Sequence, residues 1–148
     1  METQKKDYNA PMHTAEHILN GTMVKLFGCE RSENCHIEKK KSKCDFILKE
    51  EPTKDEIIIL EDKINEIINQ NLPVTHKLID FDSANEKFKL RVTKEENPQI
   101  RITSVGNYDD CPCIGEHVNN TSEIGTFKIT TTSFENEIFR IRFKLIQN

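Results

Sequence analysis

Apolar residues recur every three or four positions in a segment close to the start of the chain: Met12, Ala15, Leu19, Met23 and Leu26. This spacing puts their side chains on one face of an α-helix. Pro11 stands where a first helical turn tolerates proline, and Gly28 offers a C-terminal cap. The pattern predicts a first helix that ends at Gly28. Residues 1–8 carry no periodic signal and are expected to form a flexible lead-in.

A second apolar stripe with helical spacing follows further along the chain: Ile57, Leu60, Ile64, Ile67 and Ile68. Thr53 and Glu56 precede it at the spacing of a capping box, in which each side chain accepts a hydrogen bond from the other residue's backbone N–H. A second long helix is therefore predicted. Its remaining surface is acidic, so that face should point away from a polyanionic partner.

Shorter segments show the alternation of apolar and polar residues that is typical of strands. They lie at residues 36–48, as two strands around a lysine-rich turn, and at residues 74–81, 100–104, 127–132 and 138–146. Ser83 and Glu86 predict the start of a short helix that ends near Leu90. Residues 106–116 are rich in turn formers and are predicted to be a loop. The last two strands should form a hairpin around residues 135–136.

Length and element order together predict the architecture. A chain of 148 residues suits one domain and can bury a sizeable core without disulfides. Helices and strands alternate without a repeat or a convincing linker. We therefore expect a single α+β domain over residues 1–148, with helices packed on a mainly antiparallel sheet.

Charge and cysteine usage narrow the class of protein. The net charge of −4 argues against strong nonspecific binding to nucleic acid, DNA included. Five cysteines, an odd number without a secretory signal, predict reduced thiols rather than a disulfide framework. No apolar run has the length of a membrane span, so a cytoplasmic protein without a membrane partner is expected. No particular oligomeric state is indicated.

Two pairs of side chains that can bind a metal each have a spacing of four positions: His13 with His17, and Cys113 with His117. On a helix, residues i and i+4 share one face, so His13 and His17 can direct imidazole nitrogens at one ion. Imidazole nitrogens and a thiolate suit Zn²⁺ better than Mg²⁺ or Ca²⁺. The same spacing also arises by chance in helix histidines that bind nothing. Cys111 is an alternative thiolate.

Two longer segments around these pairs carry a family resemblance. Residues 13–19 are His-Thr-Ala-Glu-His-Ile-Leu, and residues 113–129 begin with Cys-Ile-Gly-Glu-His. They resemble the two signature segments of the alanyl-tRNA synthetase editing domain, which also circulates as freestanding AlaX-type trans-editing proteins. The likeness extends roughly from His13 to Ile141. Ile114 and Glu116 depart from it, since the family usually has Cys-Gly-Gly-Thr-His.

The resemblance implies that the zinc ligands are His13, His17, Cys113 and His117, since the family's spacing favours Cys113 over Cys111. It implies hydrolysis of mischarged aminoacyl-tRNA in trans, with serine, or also glycine, on the tRNA for alanine. Glu116, next to a ligand, is a candidate general base. Any contact with tRNA must be local in an acidic chain, and the candidates are Lys39, Lys40, Lys41 and Arg140. No ligase activity is expected at this length.

Two other functions are compatible with the same residues. One is a noncatalytic zinc-binding module for tRNA or protein, which Ile114 and Glu116 in the signature favour. The other is a zinc hydrolase of a different ester or amide, because one ligand set supports several hydrolytic reactions. Zinc without turnover would indicate the first, and turnover that spares aminoacyl-tRNA would indicate the second.

Overall fold

A computed structural model describes residues 9–147; the predicted lead-in, residues 1–8, lies outside them. The helices and strands of the described part follow one another in this order: α1 (Ala10–Phe27), β1 (Asn34–His36), β2 (Ser42–Ile47), α2 (Lys54–Asn69), β3 (Val74–Asp80), α3 (Phe81–Lys87), β4 (Gln99–Val105), β5 (Asp109–Pro112), β6 (Thr126–Glu135) and β7 (Ile138–Ile146). A short 3-10 turn, Thr121–Ile124, precedes β6. Within residues 9–147, no helix combines the length and the apolar character needed to cross a membrane.

The first helix has the predicted cap at its C-terminal end. Gly28 adopts the left-handed conformation, with φ of 68°, and its N–H donates to the Val24 carbonyl at 2.9 Å. At the other end, Asn9 caps the helix by accepting from the Met12 N–H at 3.0 Å. The predicted apolar face is buried except at Leu26, which is 43% exposed.

The second helix begins with the predicted capping box. The Thr53 hydroxyl accepts from the Glu56 N–H at 3.1 Å, and the Thr53 N–H donates to the Glu56 carboxylate at 2.8 Å. Its apolar stripe faces inward: Leu60, Ile64, Ile67 and Ile68 are buried. Tertiary burial and the local cap therefore favour the same helix.

The strands form two antiparallel sheets, which confirms the predicted α+β class. The larger sheet has the order β1-β2-β7-β6, and the smaller has the order β3-β4-β5. Alternate residues of β7 point into the core, where Phe139, Ile141 and Phe143 are buried. They join the buried faces of α1 and α2 in one apolar cluster. The smaller sheet carries β5 beside α1, and this placement builds the site described below.

Two predictions from the sequence are wrong: the bounds of the short helix and the loop at residues 106–116. The short helix begins at Phe81, not at Ser83, because Asp80 caps it by accepting from the Ser83 N–H at 3.0 Å, and it ends at Lys87. The predicted loop at residues 106–116 contains strand β5. Its backbone pairs with the free edge of β4, with Cys111 opposite Thr103. The edge of β4 supplies the hydrogen-bond partners of the β5 backbone, and the sequence of β5 itself shows no strand pattern.

An ion pair between neighbouring strands of the larger sheet predicts a pH-dependent contribution to stability. Arg140 donates to both Asp45 carboxylate oxygens, at 2.7 and 2.9 Å. These hydrogen bonds hold the pKa of Asp45 below its usual range. The stabilisation is therefore fully present above about pH 4 and is lost as the pH falls through the lowered pKa.

Accordingly, Asp45→Asn should lower the urea midpoint at pH 7, and its difference from the unmodified chain should shrink below pH 4. Asp62→Asn, on the exposed side of α2, is the matched control and should change little at either pH. A difference for Asp45→Asn that is equal in acid and at neutral pH would contradict the assignment.

Candidate metal centre

Four side chains from distant parts of the sequence meet beside α1. His13 and His17 lie one helical turn apart on α1, Cys113 follows the end of β5, and His117 comes four residues later. One donor atom of each residue lies within 4.8 Å of the donors of the other three. The two helix histidines are only 6% and 3% exposed. The structure thus brings together all four side chains that the sequence singled out, as a group that could hold a metal ion.

The loop that carries Cys113 and His117 is fixed by β4. The Cys113 N–H donates to the Arg101 carbonyl at 3.1 Å, and the Arg101 guanidinium donates to the Gly115 carbonyl at 2.6 Å. Gly115 lies directly over the His13 ring: a Cβ at this position would stand 2.7 Å from His13 Nδ1. Glycine is therefore required for the loop to pass this close to the helix.

Hydrogen bonds fix the orientation of the His13 ring. The Glu116 backbone carbonyl lies 3.0 Å from His13 Nδ1. A carbonyl oxygen only accepts, so the neutral ring carries its proton on Nδ1 and has a lone pair on Nε2. That Nε2 lies 3.1 Å from Cys113 Sγ. His13 therefore turns its Nε2 lone pair toward the thiol and the centre of the group.

His117 is held in the same way by Thr14. The Thr14 hydroxyl donates to the Ala10 carbonyl at 3.1 Å, which leaves its oxygen to accept from His117 Nδ1 at 2.9 Å. His117 Nε2 then faces Cys113 Sγ at 3.5 Å. Outer hydrogen bonds of this kind set the tautomer of metal-binding histidines.

Burial sets the charge state of the group. Burial lowers the pKa of His13. Burial and the neighbouring rings of His117 and His13 lower the pKa of His17 well below its usual value. Burial and the adjacent His13 lower the pKa of His117 to about 3. All three rings are thus neutral at pH 7, which is the form that binds metals. Burial also raises the pKa of the Cys113 thiol, so a nearby cation is needed to hold it as thiolate. Three nitrogens and one sulfur fit a borderline-soft transition metal.

One member of the group, Cys113, lines a cleft of about 920 Å³. Cys113, Glu16 and Arg101 lie along its wall, and Phe88 and Leu90 contribute apolar surface. This volume is in the range of small-molecule sites. A ligand in the cleft would therefore lie next to Cys113, the member of the group that lines it.

Sequence reasoning missed Glu16. Its carboxylate oxygen Oε1 lies 4.0 Å from His13 Nε2 and 3.9 Å from His17 Nε2, and its side chain is 15% exposed. Asn20 donates a hydrogen bond to the other carboxylate oxygen. Burial raises the pKa of Glu16 to about 7. The signal was present in the spacing, because residue i+3 on a helix neighbours residue i, here His13.

Glu116 and Cys111, two further candidates from the sequence, are not members of the group of four. Glu116 is exposed, and it is its backbone carbonyl, not its carboxylate, that contacts His13. Cys111 does not belong to the group of four, and burial raises the pKa of its thiol to about 12. Ile114 is 90% exposed, at the edge of the cleft.

The candidate tRNA contacts fall in two places. Lys39, Lys40 and Lys41 are exposed together in the connection between β1 and β2. Arg140 lies on β7, where its guanidinium is held by Asp45. The three lysines therefore form an exposed basic cluster.

His76, left without a role by the sequence, is exposed on β3, with its ring centroid 5.9 Å from that of His117. Its Nδ1 lies 3.0 Å from the Thr103 hydroxyl. His76 therefore borders the group of four without belonging to it.

The chain is similar in sequence to known proteins. The family described as threonyl and alanyl tRNA synthetase second additional domain matches residues 100–141. The alanine–tRNA ligase of Fervidobacterium nodosum is 33% identical over 123 residues, which are 82% of this chain and 14% of the ligase. That of Buchnera aphidicola is 33% identical over 132 residues, 87% of the chain and 15% of the ligase. That of Leptospira biflexa is 30% identical over 137 residues, 87% of the chain and 14% of the ligase.

The chain thus spans about a seventh of the length of these curated relatives. The family model covers the second signature segment, residues 113–129, together with β5 and β6. The chain is an alanyl-tRNA synthetase-related domain of the second-additional-domain family, the editing type of domain that its signature segments predicted.

Proposed function

We propose that this protein hydrolyses the ester bond of mischarged aminoacyl-tRNA in trans, with serine as the main and glycine as a second misattached amino acid on the tRNA for alanine. The observation that supports this most is the convergence of four donor atoms beside a cleft, in a domain related to alanyl-tRNA synthetase. A second hydrolytic site is chemically reasonable, because a pocket built for alanine rejects an added hydroxyl only about a hundredfold.

The metal ion in this proposal is Zn²⁺, held by His13, His17, Cys113 and His117. The tautomers support the assignment, since His13 and His117 both turn an Nε2 lone pair toward Cys113. When bound, zinc polarises an ester carbonyl or lowers the pKa of a water molecule to about 7. The ion would also hold Cys113 as thiolate and tie the signature loop to α1.

The chain's own residues position the ester. The cleft holds the aminoacyl-adenosine end of the tRNA, with Phe88 and Leu90 as apolar surface for the base. When the substrate packs against the wall of the cleft, it excludes water from the ester except at the reacting position. The exposed lysines Lys39, Lys40 and Lys41 contact the phosphate backbone. Arg140 adds a further contact when its ion pair with Asp45 opens.

Two carboxylates are candidates for the base that accepts a proton from the attacking water: Glu16 and Glu116. Glu16 is favoured by position, because its side chain lines the cleft and lies about 4 Å from two ligand nitrogens. Glu116 is the alternative, since it adjoins His117 in the chain.

We expect Glu16→Gln to lower the deacylation rate at least about a hundredfold while zinc content stays at one ion per chain, because the amide keeps the shape and loses the proton acceptor. Glu116→Gln is the matched variant and should keep most of the rate. Both variants are compared by single-turnover deacylation and metal analysis. The reverse order of effects would transfer the base role to Glu116.

The proposed function is tested on tRNA for alanine that carries serine or glycine. Release of the free amino acid is followed with purified protein, with protein stripped by a chelator, and with stripped protein reloaded with zinc. The proposal predicts release that falls on stripping and returns on reloading. Stoichiometric zinc without release would indicate the noncatalytic module. Cleavage of small esters with aminoacyl-tRNA spared would indicate a different hydrolase.

A further inference from the structure

The outer nitrogen of His17 differs from those of the other two histidines in the group. His13 Nδ1 and His117 Nδ1 each have a hydrogen-bond acceptor, but His17 Nδ1 is buried and has none. An unpartnered buried ring nitrogen is costly, and outer partners are the rule for histidines that bind metals. A partner for His17 is therefore to be sought in its surroundings.

The charged group on that side of the ring is the Asp109 carboxylate, with Oδ2 3.9 Å from His17 Nδ1. The opposite nitrogen, His17 Nε2, borders the same Glu16 oxygen as the donor nitrogen of His13. The ring is thus oriented with Nε2 toward the donor group and Nδ1 toward Asp109.

Asp109 is held in place from two sides. Arg31 donates to both of its carboxylate oxygens, at 2.6 and 3.2 Å. Gly21, one helical turn after His17, leaves a notch in α1 that the carboxylate fills: a Cβ on Gly21 would stand 2.8 Å from Asp109 Oδ1. The Asp109 side chain is only 6% exposed. Burying a carboxylate costs free energy of desolvation, so the contacts that hold Asp109 in this position suggest a role for it.

The start of β5 is clamped to α1 as well. The hydroxyls of Thr22 and Tyr108 share a hydrogen bond at 2.6 Å, and Lys25 donates to the Tyr108 carbonyl at 2.6 Å. These contacts set the distance between β5 and the helix. Asp109 is therefore held at a fixed depth beside His17.

We infer that Asp109 is the outer partner of His17, its carboxylate accepting a hydrogen bond from His17 Nδ1–H when a metal ion is bound at Nε2. The inference rests on the metal centre of the proposed function. The two atoms are about 1 Å beyond hydrogen-bond distance, which a small rotation of the imidazole closes. Asp109 is then a positioning residue: it sets the tautomer of His17 and makes its Nε2 a stronger ligand, while Arg31 holds the carboxylate in place.

The test compares Asp109→Asn with Asp110→Asn. In the first variant the amide oxygen should stay with Arg31, so that an NH₂ group faces His17 and favours the wrong tautomer. Asp110 is the matched control, because it is exposed and pairs with Ser104. Zinc affinity is measured by competition with a chromophoric chelator. We expect Asp109→Asn to bind zinc about 10 to 100 times more weakly and Asp110→Asn to bind as the unmodified chain does.

A nitrogen-15 NMR spectrum of the histidine rings separates positioning from simple structural support. In the zinc-loaded, unmodified protein, His17 should show a slowly exchanging Nδ1–H proton, shifted downfield by a carboxylate partner. This spectrum carries the test even if Asp109→Asn does not fold. An Nδ1–H resonance without that shift would overturn the inference.

Equal zinc affinity in the Asp109→Asn variant would overturn the inference while leaving the metal centre intact. A lower zinc affinity in Asp109→Asn with an unchanged His17 resonance would also overturn the inference, because it would show that Asp109 has a purely structural role. If the unmodified protein binds no zinc at all, the metal centre itself fails, and the inference fails with it.

Discussion

His17→Ala is expected to abolish stoichiometric zinc binding and to lower deacylation of seryl-tRNA at least about a hundredfold. His17 is one of four convergent donors and is 3% exposed, so no solvent-facing side chain can take its place. Losing even an outer partner typically costs 10- to 100-fold in metal affinity, and losing a ligand costs more. Alanine is a strong helix former, so α1 should persist.

The control for this variant is His36→Ala. His36 lies on β1, is exposed, and pairs with Glu38. The His36→Ala substitution also removes one imidazole but leaves the group of four intact. Both the zinc content and the deacylation rate should therefore stay unchanged. Zinc content and rate that also stay unchanged in His17→Ala would exclude His17 as a ligand. Both quantities are read by metal analysis of dialysed protein and by single-turnover kinetics.

Gly115→Ala is expected to weaken zinc binding about 10- to 100-fold with the four donors all present. The new methyl group would collide with the His13 ring, 2.7 Å from Nδ1, so either the loop or the imidazole must move. The hydrogen bond from His13 to the Glu116 carbonyl is then lost, and with it the tautomer that turns Nε2 to Cys113. Overpacking of this kind also costs about 1 to 3 kcal/mol of stability.

Gly28→Ala distinguishes a site effect from general destabilisation. Gly28 has φ of 68° and nothing within 4 Å of its Cβ position. Alanine there should cost about 1 kcal/mol because it is held in the left-handed conformation, and it should leave zinc affinity unchanged. Urea denaturation and chelator competition are run on both variants. Equal zinc affinity in Gly115→Ala and Gly28→Ala would contradict the close approach of the loop to His13.

The helices were predictable because local signals and burial agree in them. The cap at Gly28 and the capping box of Thr53 and Glu56 were both visible in the sequence and both occur. Strand β5 was not predictable, since Asp109–Pro112 has neither alternation nor β-branched residues and owes its structure to the edge of β4. The division into two sheets depends equally on pairings between distant segments.

The candidate site was predictable in part for similar reasons. The four donors fall in two pairs with a short spacing, and the family resemblance then favoured Cys113 over Cys111 as the thiolate. Asp109 was not selected, because a charged residue is assumed to be exposed until its partner is known. Its partner, Arg31, is 78 positions away in the chain. Glu16 was overlooked despite a local signal, since its burial depends on β5 and the Cys113 loop folding against α1.

In the proposed function, this domain removes serine from the tRNA for alanine. The most direct measurement is the initial rate of serine release from that tRNA by zinc-loaded protein, beside the rate of alanine release from correctly charged tRNA. We expect serine release well above the spontaneous rate and at least about ten times faster than alanine release. Serine release no faster than in the absence of protein, with zinc bound, would contradict it.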